Sequence, residues 1–367
     1  MTARPTQPVK ISWDKDPGAT AGYDLVRNGA KVSTAAAKAI STMATLATGD
    51  LFEVVGKPSG LRQQVTVSWH SVYVQPAPPP PAKQMFGFST GYPQGSGFAA
   101  GITADAYAAQ ASSFGATLLR FDEPAPSSGA NGRLAACQTH GQHVLMIVPY
   151  LADATMYASR CVALVNAYGP KVWAFELGNE LNKGVISPEQ YVVWHRYAWQ
   201  HIKAAMPSAI VTTQGLSGYG SIGDADSKGI NPVTYMQRCF AADPKFGECF
   251  DYLSIHPYPP FDIANATVAQ LMDTSKPYNA LGQLPSMYQL LDQHAPGKQV
   301  IVSEIGAPTA NVTPSVQAGY VTAAIKWLRT QPRIAAVTWF TLMDSQTDGT
   351  FGIVGKPAEQ AYRQAVA

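Results

Sequence analysis

The chain has 367 residues, more than one typical domain, and 46% of them are hydrophobic, enough to bury a large core. Its formal net charge is +2 and only 14% of residues are charged, so it lacks the sustained basic surface that phosphate backbones select, and nucleic acid is not an expected partner. No run approaches the roughly eighteen uncharged apolar residues that a bilayer span requires, and the polar start from Met1 to Gln7 carries no apolar signal core.

Short alternating stretches come first in the chain. Val9 to Trp13 and Gly22 to Arg27 are followed by a turn at Asn28 and Gly29, and later by Leu61 to Val74 with Val65, Val67 and Trp69 on one face. This is the pattern of a small all-β sandwich. The runs V-K-I-S-W-D and A-G-Y-D-L-V-R-N-G-A-K-V resemble a fibronectin type III domain, with Trp13 and Tyr23 where that family keeps its core aromatics. The resemblance implies a spacer or adhesion module over residues 1–74. Residues 75–84, Q-P-A-P-P-P-P-A-K-Q, can form neither a helix nor a central strand, because proline fixes φ and lacks a donor; an extended, semi-rigid linker is expected.

From residue 85 to 367 apolar runs alternate with amphipathic stretches. Candidate strands are Met85 to Ser89, Thr117 to Phe121, His143 to Val148, Val172 to Leu177, Ile210 to Gln214, Tyr252 to His256, Gln299 to Ser303 and Ala336 to Phe340. Between them lie helical patterns. One spans Glu189 to Ala205 behind Ser187, Pro188 and Gln190, another opens at Thr313 and Pro314, and the last covers Pro357 to Val366. Eight strand-helix units predict an α/β fold, a (β/α)8 TIM barrel, with a doubly wound open sheet as the competing topology. Of the four cysteines, Cys239 and Cys249 flank a short loop, and Cys137 and Cys161 fall on successive helices. Two bridges and an oxidising location are expected from that placement. No C-x-x-C or H-E-x-x-H occurs, so no metal site is expected.

The chemistry concentrates at two strand ends. Phe175 to Asn182 reads F-E-L-G-N-E-L-N and Ile301 to Gly306 reads I-V-S-E-I-G, placing Glu180 after the fourth strand and Glu304 on the seventh. In a parallel barrel the strand C-termini share one open face, where carboxyls from strands four and seven can approach to about 5 Å, the spacing of a retaining glycosidase. Asparagine before the first glutamate and a second glutamate on strand seven resemble the clan A glycoside hydrolases, with families 5, 39, 53 and 79 nearest. By that resemblance Glu180 is the general acid/base, Glu304 the nucleophile, and Asn179 a donor to the hydroxyl beside the anomeric carbon. The resemblance further implies that Arg120, in L-L-R-F-D, keeps the nucleophile ionised, that His256 and Tyr258, in S-I-H-P-Y-P, match the strand-six pair, and that Trp339, in V-T-W-F, stacks on the sugar. Family 5 expects a histidine after strand three; here the strand ends M-I-V-P-Y, and Tyr150 is the polar candidate.

The residue types make sense without the analogy. A glycosidic oxygen leaves poorly, so it needs a proton from an acid whose pKa is raised, while the attacking carboxylate must stay ionised. Two neighbouring acids disfavour each other's charge, and a cation beside one of them decides which is ionised. No cofactor is called for. Glu176 shares the strand parity of Glu180 and is expected as a structural partner of a buried base such as Arg120. Asp122 and Glu123 are read as following strand two on a loop, either as a substrate contact or as a solvated turn, and Trp173, Trp194, Trp199 and Trp327 as packing. Gly218 to Gly223 is formally G-x-G-x-x-G, but no amphipathic helix follows, so it is read as part of a mobile loop over the open face, 215–231. The expected protein is therefore a monomeric retaining glycosidase, secreted or virion-associated, acting within a polysaccharide. The alternative is a glycan-binding adhesin or tail-type protein that does not hydrolyse. Tyr92, Tyr150, Tyr219, Tyr258 and Phe261 are candidate stacking aromatics.

Overall fold

Eight apolar runs become eight parallel strands in the computed structural model, which describes residues 8–12, 22–27, 30–35, 41–45, 52–57, 62–64, 84–90, 101–122, 130–218, 229–259, 265–275, 280–346 and 348–367. The strands are β1 (Met85–Ser89), β2 (Leu118–Asp122), β3 (His143–Val148), β4 (Ala174–Leu177), β5 (Val211–Thr212), β6 (Tyr252–His256), β7 (Gln299–Ile305) and β8 (Ile334–Phe340). Each is followed by a helix: α1 (Ala104–Ser113), α2 (Ala130–Thr139), α3 (Ala154–Tyr168), α4 (Pro188–Ala205), α5 (Pro232–Ala242), α6 (Gln283–His294), α7 (Pro314–Arg329) and α8 (Pro357–Val366). Neighbours in sequence pair in space. The ring closes where Ala336 of β8 meets Met85 of β1 and where Thr212 of β5 meets Tyr252 of β6. Closure removes both sheet edges and rules out the open doubly wound alternative.

The helix starts follow local chemistry. Ser187 accepts from the Gln190 amide ahead of α4, and Thr313 from the Val316 amide ahead of α7, each with proline at the first helical position. β5 is shorter than the sequence suggests, because Thr213 and Gln214 leave the ladder. Thr213 Oγ1 accepts from the Ser254 amide, and the Gln214 amide donates to the Tyr191 hydroxyl. A second two-residue piece, Leu216–Ser217, rejoins β6.

Inside the barrel, side chains stack in layers along the strands. Leu118, Leu145, Ala174, Tyr252, Ile301 and Ala336 form an apolar floor. Two residues further along, the inward positions turn polar: Arg120, Glu176, Ser254, Ser303 and Thr338, all fully buried. The outward positions, such as Val144, Phe175, Leu253, Val302 and Val337, join the larger core beneath the helices. Period-two alternation thus separates a packing surface from a chemical one.

The chain divides into two units, Met1–Val74 and Gln75–Ala367. The first contains an antiparallel pair, Pro8–Ser12 with Ser41–Thr45, and a four-stranded antiparallel sheet of Gly22–Arg27, Ala30–Ala35, Phe52–Lys57 and Arg62–Gln64. Trp13, the Asn28-Gly29 turn, Val65, Val67, Trp69 and residues 75–83 lie outside the described residues. No helix among the described residues is long and apolar enough to cross a membrane.

The expected disulfides do not form. All four cysteines are free and buried. Cys137 sits on α2, which packs against α1, whereas Cys161 sits on α3, which packs against α4. The Cys239 thiol donates to the Pro188 carbonyl. Burial pushes Cys137, Cys161 and Cys249 up to about 12, so they stay protonated and inert. Titration of the denatured chain with a thiol reagent, without reductant, should therefore count four free thiols; two or none would contradict the structure.

Candidate active site

β4 ends at Leu177, and the backbone then turns sharply. Gly178 has φ +92°, and Glu180 itself has φ +51°, a left-handed conformation that costs a non-glycine residue about 1–2 kcal/mol. Neighbouring bonds hold the turn. The Glu180 amide donates to the Gly215 carbonyl at 2.9 Å, and the Leu181 and Asn182 amides donate to Gln214 Oε1 at 2.5 and 3.2 Å. Asn182 Nδ2 in turn donates to the Ser217 and Ile230 carbonyls. Glu180 therefore stands three residues beyond its strand, on a loop held by these hydrogen bonds. Gly215 is required where it is, since a Cβ there would run into His256 Nε2 and Glu176 Oε1.

Glu304 reaches the same point by another device. Strict alternation along β7 places Ile301 and Ser303 inward and would turn Glu304 outward. Between Val302 and Ile305, however, the register against β8 slips: Val302 faces Val337 and Ile305 faces Trp339, three steps against two. The extra residue is a bulge that lets Ser303 and Glu304 both point inward while Ile305 returns to the outer core.

Arg120 links the two glutamates to the barrel interior. Its Nε donates to Glu176 Oε2 at 2.6 Å and its Nη1 to Glu304 Oε1 at 2.5 Å and Ser89 Oγ at 2.9 Å. Its Nη2 donates to Asn179 Oδ1 at 2.7 Å and reaches His256 Nε2 at 3.3 Å. Burial works against the guanidinium charge, but Glu176 and Glu304 outweigh it and hold Arg120 above its usual range. Glu176 points into the barrel as its parity predicted, and its other oxygen accepts from Ser254 Oγ at 2.5 Å. This polar layer is the foundation of the site.

Because an arginine N–H can only donate, His256 Nε2 must accept, which leaves the imidazole proton on Nδ1. That proton is donated to Glu180 Oε1 at 3.0 Å. Tyr258 donates its hydroxyl to Glu304 Oε2 at 2.7 Å, and burial, reinforced by the Glu304 charge, raises the phenol well above its ordinary value, so it remains a donor. One donor atom each from Glu180, His256 and Glu304 lies within 4.8 Å of the others. A divalent ion could use such a spacing, but Arg120 and Lys183 already deliver two positive charges onto these carboxylates, so the donor set does not suit a resident metal.

The electrostatics of Glu180 differ from the sequence expectation of a raised acid. Burial does work to raise its pKa, but the His256 hydrogen bond and the Lys183 ammonium, 2.9 Å from Oε2, outweigh it and hold the carboxyl below the usual range. The repulsion expected from Glu304 is compensated by Arg120.

Two lobes of a cleft meet at Glu180, Glu304 and Phe340. One, of about 490 Å³, is lined by Thr90, Asp122, Tyr150, Asn179 and Asp348 among others. The other, of about 330 Å³, is lined by Lys183, Tyr258, Pro308, Asn311 and Phe351. Of the expected residues, Glu180, Glu304, Arg120, Asn179, His256 and Tyr258 converge, and Tyr150 lies on the wall of the larger lobe. Trp339 does not join them. It is fully buried on the outer face of β8, 5.7 Å from the Tyr320 ring, because position 339 has the parity of Val337. Phe340 takes the cleft position instead, packed edge-on to Phe351 at 5.2 Å and Tyr258 at 6.3 Å. Counting parity from Ala336 and Thr338 would have found it. Asp122 ends β2 with the inward parity of Arg120, not on a loop. Lys183 was overlooked although it sits three residues after Glu180, the spacing of neighbours on one turn. Tyr92, Tyr219, Phe261, Glu123 and residues 219–228 lie outside the described residues.

No family model matches the chain, and no curated protein does. Solved structures resemble it in fold. A family 39 glycoside hydrolase from the gut symbiont Bacteroides cellulosilyticus aligns over 99% of this chain and 80% of its own, with 15% identity and a TM-score of 0.56. A family 51 alpha-L-arabinofuranosidase from Bifidobacterium longum aligns over 77% and 72%, with 12% identity and a TM-score of 0.56. An endo-beta-1,3-glucanase of family 128, subgroup II, from Sorangium cellulosum aligns over 77% and 98%, with 18% identity and a TM-score of 0.50. At these identities the likeness is one of fold, the (β/α)8 barrel.

Arg120→Met strands two inward carboxylates without their cation, and urea unfolding should show a loss of ~3–5 kcal/mol. Arg120→Lys should recover only part of it, since an ammonium cannot serve acceptors spread around a planar fork. A loss under ~1 kcal/mol for Arg120→Met would mean that the network is not what holds the site.

Proposed function

We propose that the chain is a retaining glycoside hydrolase that cuts within a polysaccharide by double displacement. The observation that carries this reading is that one carboxylate oxygen of Glu180 lies within 4.8 Å of one of Glu304, with His256 Nδ1 between them at 3.0 and 3.6 Å, a gap too narrow for an intervening nucleophilic water. Retaining pairs stand about 5–5.5 Å apart, whereas inverting pairs leave room for a water at about 6.5–9.5 Å. The named glycoside hydrolases among the solved structures of like fold agree with it.

Each residue then has a task. Glu304, oriented through both oxygens by Arg120 and Tyr258, attacks the anomeric carbon. Glu180 gives its proton to the glycosidic oxygen as that bond breaks, and the leaving sugar departs. The glycosyl group now forms an ester with Glu304, which no longer carries charge. Glu180, ionised, takes a proton from water; the water oxygen bonds to the anomeric carbon and Glu304 leaves as carboxylate, with configuration retained after two inversions. Arg120 takes the Oδ1 of Asn179, so the amide NH2 is the end offered to a sugar hydroxyl. Tyr150 and the Tyr258, Phe340 and Phe351 group supply ring faces and edges for sugar C–H surfaces.

The two lobes support internal cleavage, since a chain lying through both has its scissile bond over the carboxylates. The antiparallel strands of the first unit and the proline run of residues 75–84 fit a fibronectin type III-like module on a tether, presenting the barrel to a solid or surface-bound glycan.

The test is a panel of plant, fungal and bacterial wall polysaccharides, with proton NMR of the first product formed. The newly formed reducing end should keep the configuration of the bond cut. Glu180→Gln should lose about 10²–10⁴-fold in rate on unactivated substrates. Glu304→Gly should be inactive until azide is added, then yield a glycosyl azide of inverted configuration. Initial product of inverted configuration from the unaltered enzyme, or turnover surviving in Glu304→Gln, would overturn the reading.

A further inference from the structure

Glu180 must carry a proton to act as an acid, yet both of its oxygens face donors. His256 Nδ1–H occupies Oε1, and His256 is fully buried and fixed through Nε2 by Arg120. A proton on Glu180 therefore has to reside on Oε2, where the Lys183 ammonium now donates at 2.9 Å. An ammonium has no acceptor, so a protonated Oε2 and Lys183 cannot share this contact. One partner must give way. Lys183 is the one that can: its side chain is 35% exposed, whereas the Glu180 loop is pinned by Gly215, Gln214 and Asn182. The Lys183 amide bonds to the Glu180 carbonyl at 3.0 Å, a single turn that places the two side chains on one side.

The other groups around Glu180 do not duplicate this cation. From the end of β6 and the residues after it come the His256 imidazole, held at Nε2 by Arg120, and the Tyr258 hydroxyl; from β7 comes Glu304, compensated by Arg120 of β2; Glu176 lies below, against Arg120; Asp122 and Asp348 line the larger lobe. Lys183 is the most exposed charge of the set, and it lines the smaller lobe next to Glu180.

We propose that Lys183 is a positioning residue that governs the acid: a counter-ion on Glu180 Oε2 that favours the ionised form and must swing away before the glutamate can hold its proton. The inference rests on the glycosidase reading for its role, though the ion pair can be tested without it. Sign and direction follow simply. The descending alkaline limb of a pH–rate profile marks loss of the acid's proton, and a cation beside the acid moves that limb to lower pH.

The experiment compares wild type, Lys183→Met and Lys183→Arg, reading the alkaline limb of kcat/KM on the substrate found by the panel and the 13C titration of the Glu180 side-chain carboxyl. In Lys183→Met both should move to higher pH by about one unit or more, the effect of removing an opposite charge at contact. In Lys183→Arg, which keeps the charge, both should stay near the wild-type position. High salt should move the wild-type limb upward and leave that of Lys183→Met in place, because the pair is partly exposed and screenable. A Lys183→Met limb and carboxyl titration that coincide with wild type would overturn the proposal, even if turnover falls. Should no glycan be cut by the wild type, the function fails, and the carboxyl titration alone still decides whether Lys183 controls Glu180.

Discussion

A single buried guanidinium organises this molecule's chemical end. Arg120 donates to Glu176, Glu304, Ser89 and Asn179 and reaches His256, so strands β1, β2, β4, β6 and β7 and the turn after β4 all report to one planar group. An ion so deeply desolvated is tolerable only because two carboxylates and three polar atoms surround it. The arrangement fixes geometry as well as charge. A planar fork has one orientation that satisfies all these partners, and that orientation sets Glu304, the amide of Asn179 and the tautomer of His256 together.

The two glutamates are thereby made unequal by different neighbours. Glu304 faces a cation that is itself locked in place, so its charge compensation is permanent. Glu180 faces a histidine proton and a lysine at the end of a flexible chain, so part of its compensation can be withdrawn. A fixed counter-ion suits a nucleophile that must be ionised at the moment of attack, and a removable one suits a group that alternates between acid and base. Burial raises the stakes for both, because the same low-dielectric surroundings that strengthen each contact penalise its loss.

Much of this was legible in the sequence because the fold is periodic. Eight apolar runs alternating with amphipathic stretches are a pattern that only a few topologies satisfy, and Glu180 and Glu304, each close to the end of such a run, stand out against only 14% charged residues. The inward aim of Glu176 followed from parity alone. Where the reading failed, local irregularity or competing contacts were responsible. The bulge in β7 that turns Glu304 inward leaves no mark in I-V-S-E-I-G, and the right answer was reached there by chemistry, against strict alternation. On β8 the alternation is regular, and the family resemblance pointed to Trp339 where parity puts Phe340 in the cleft. The disulfides were inferred from sequence proximity, which does not say which helices pack together. The lowered acid is not legible in the sequence, because the Lys183 ammonium reaches Glu180 only through the turn after β4, which a three-dimensional structure displays.

The central claim is that the Arg120-bound carboxylate of Glu304 is the atom group that attacks sugar. Trapping tests it most directly: incubation with a 2-deoxy-2-fluoro glycoside of the sugar that proves to be the substrate, bearing an activated leaving group, followed by proteolysis and mass spectrometry. The account predicts one glycosyl adduct per chain, on the peptide that contains Glu304 and on that residue's side chain. An adduct on Glu180 or elsewhere, or inactivation without a covalent adduct, would contradict it.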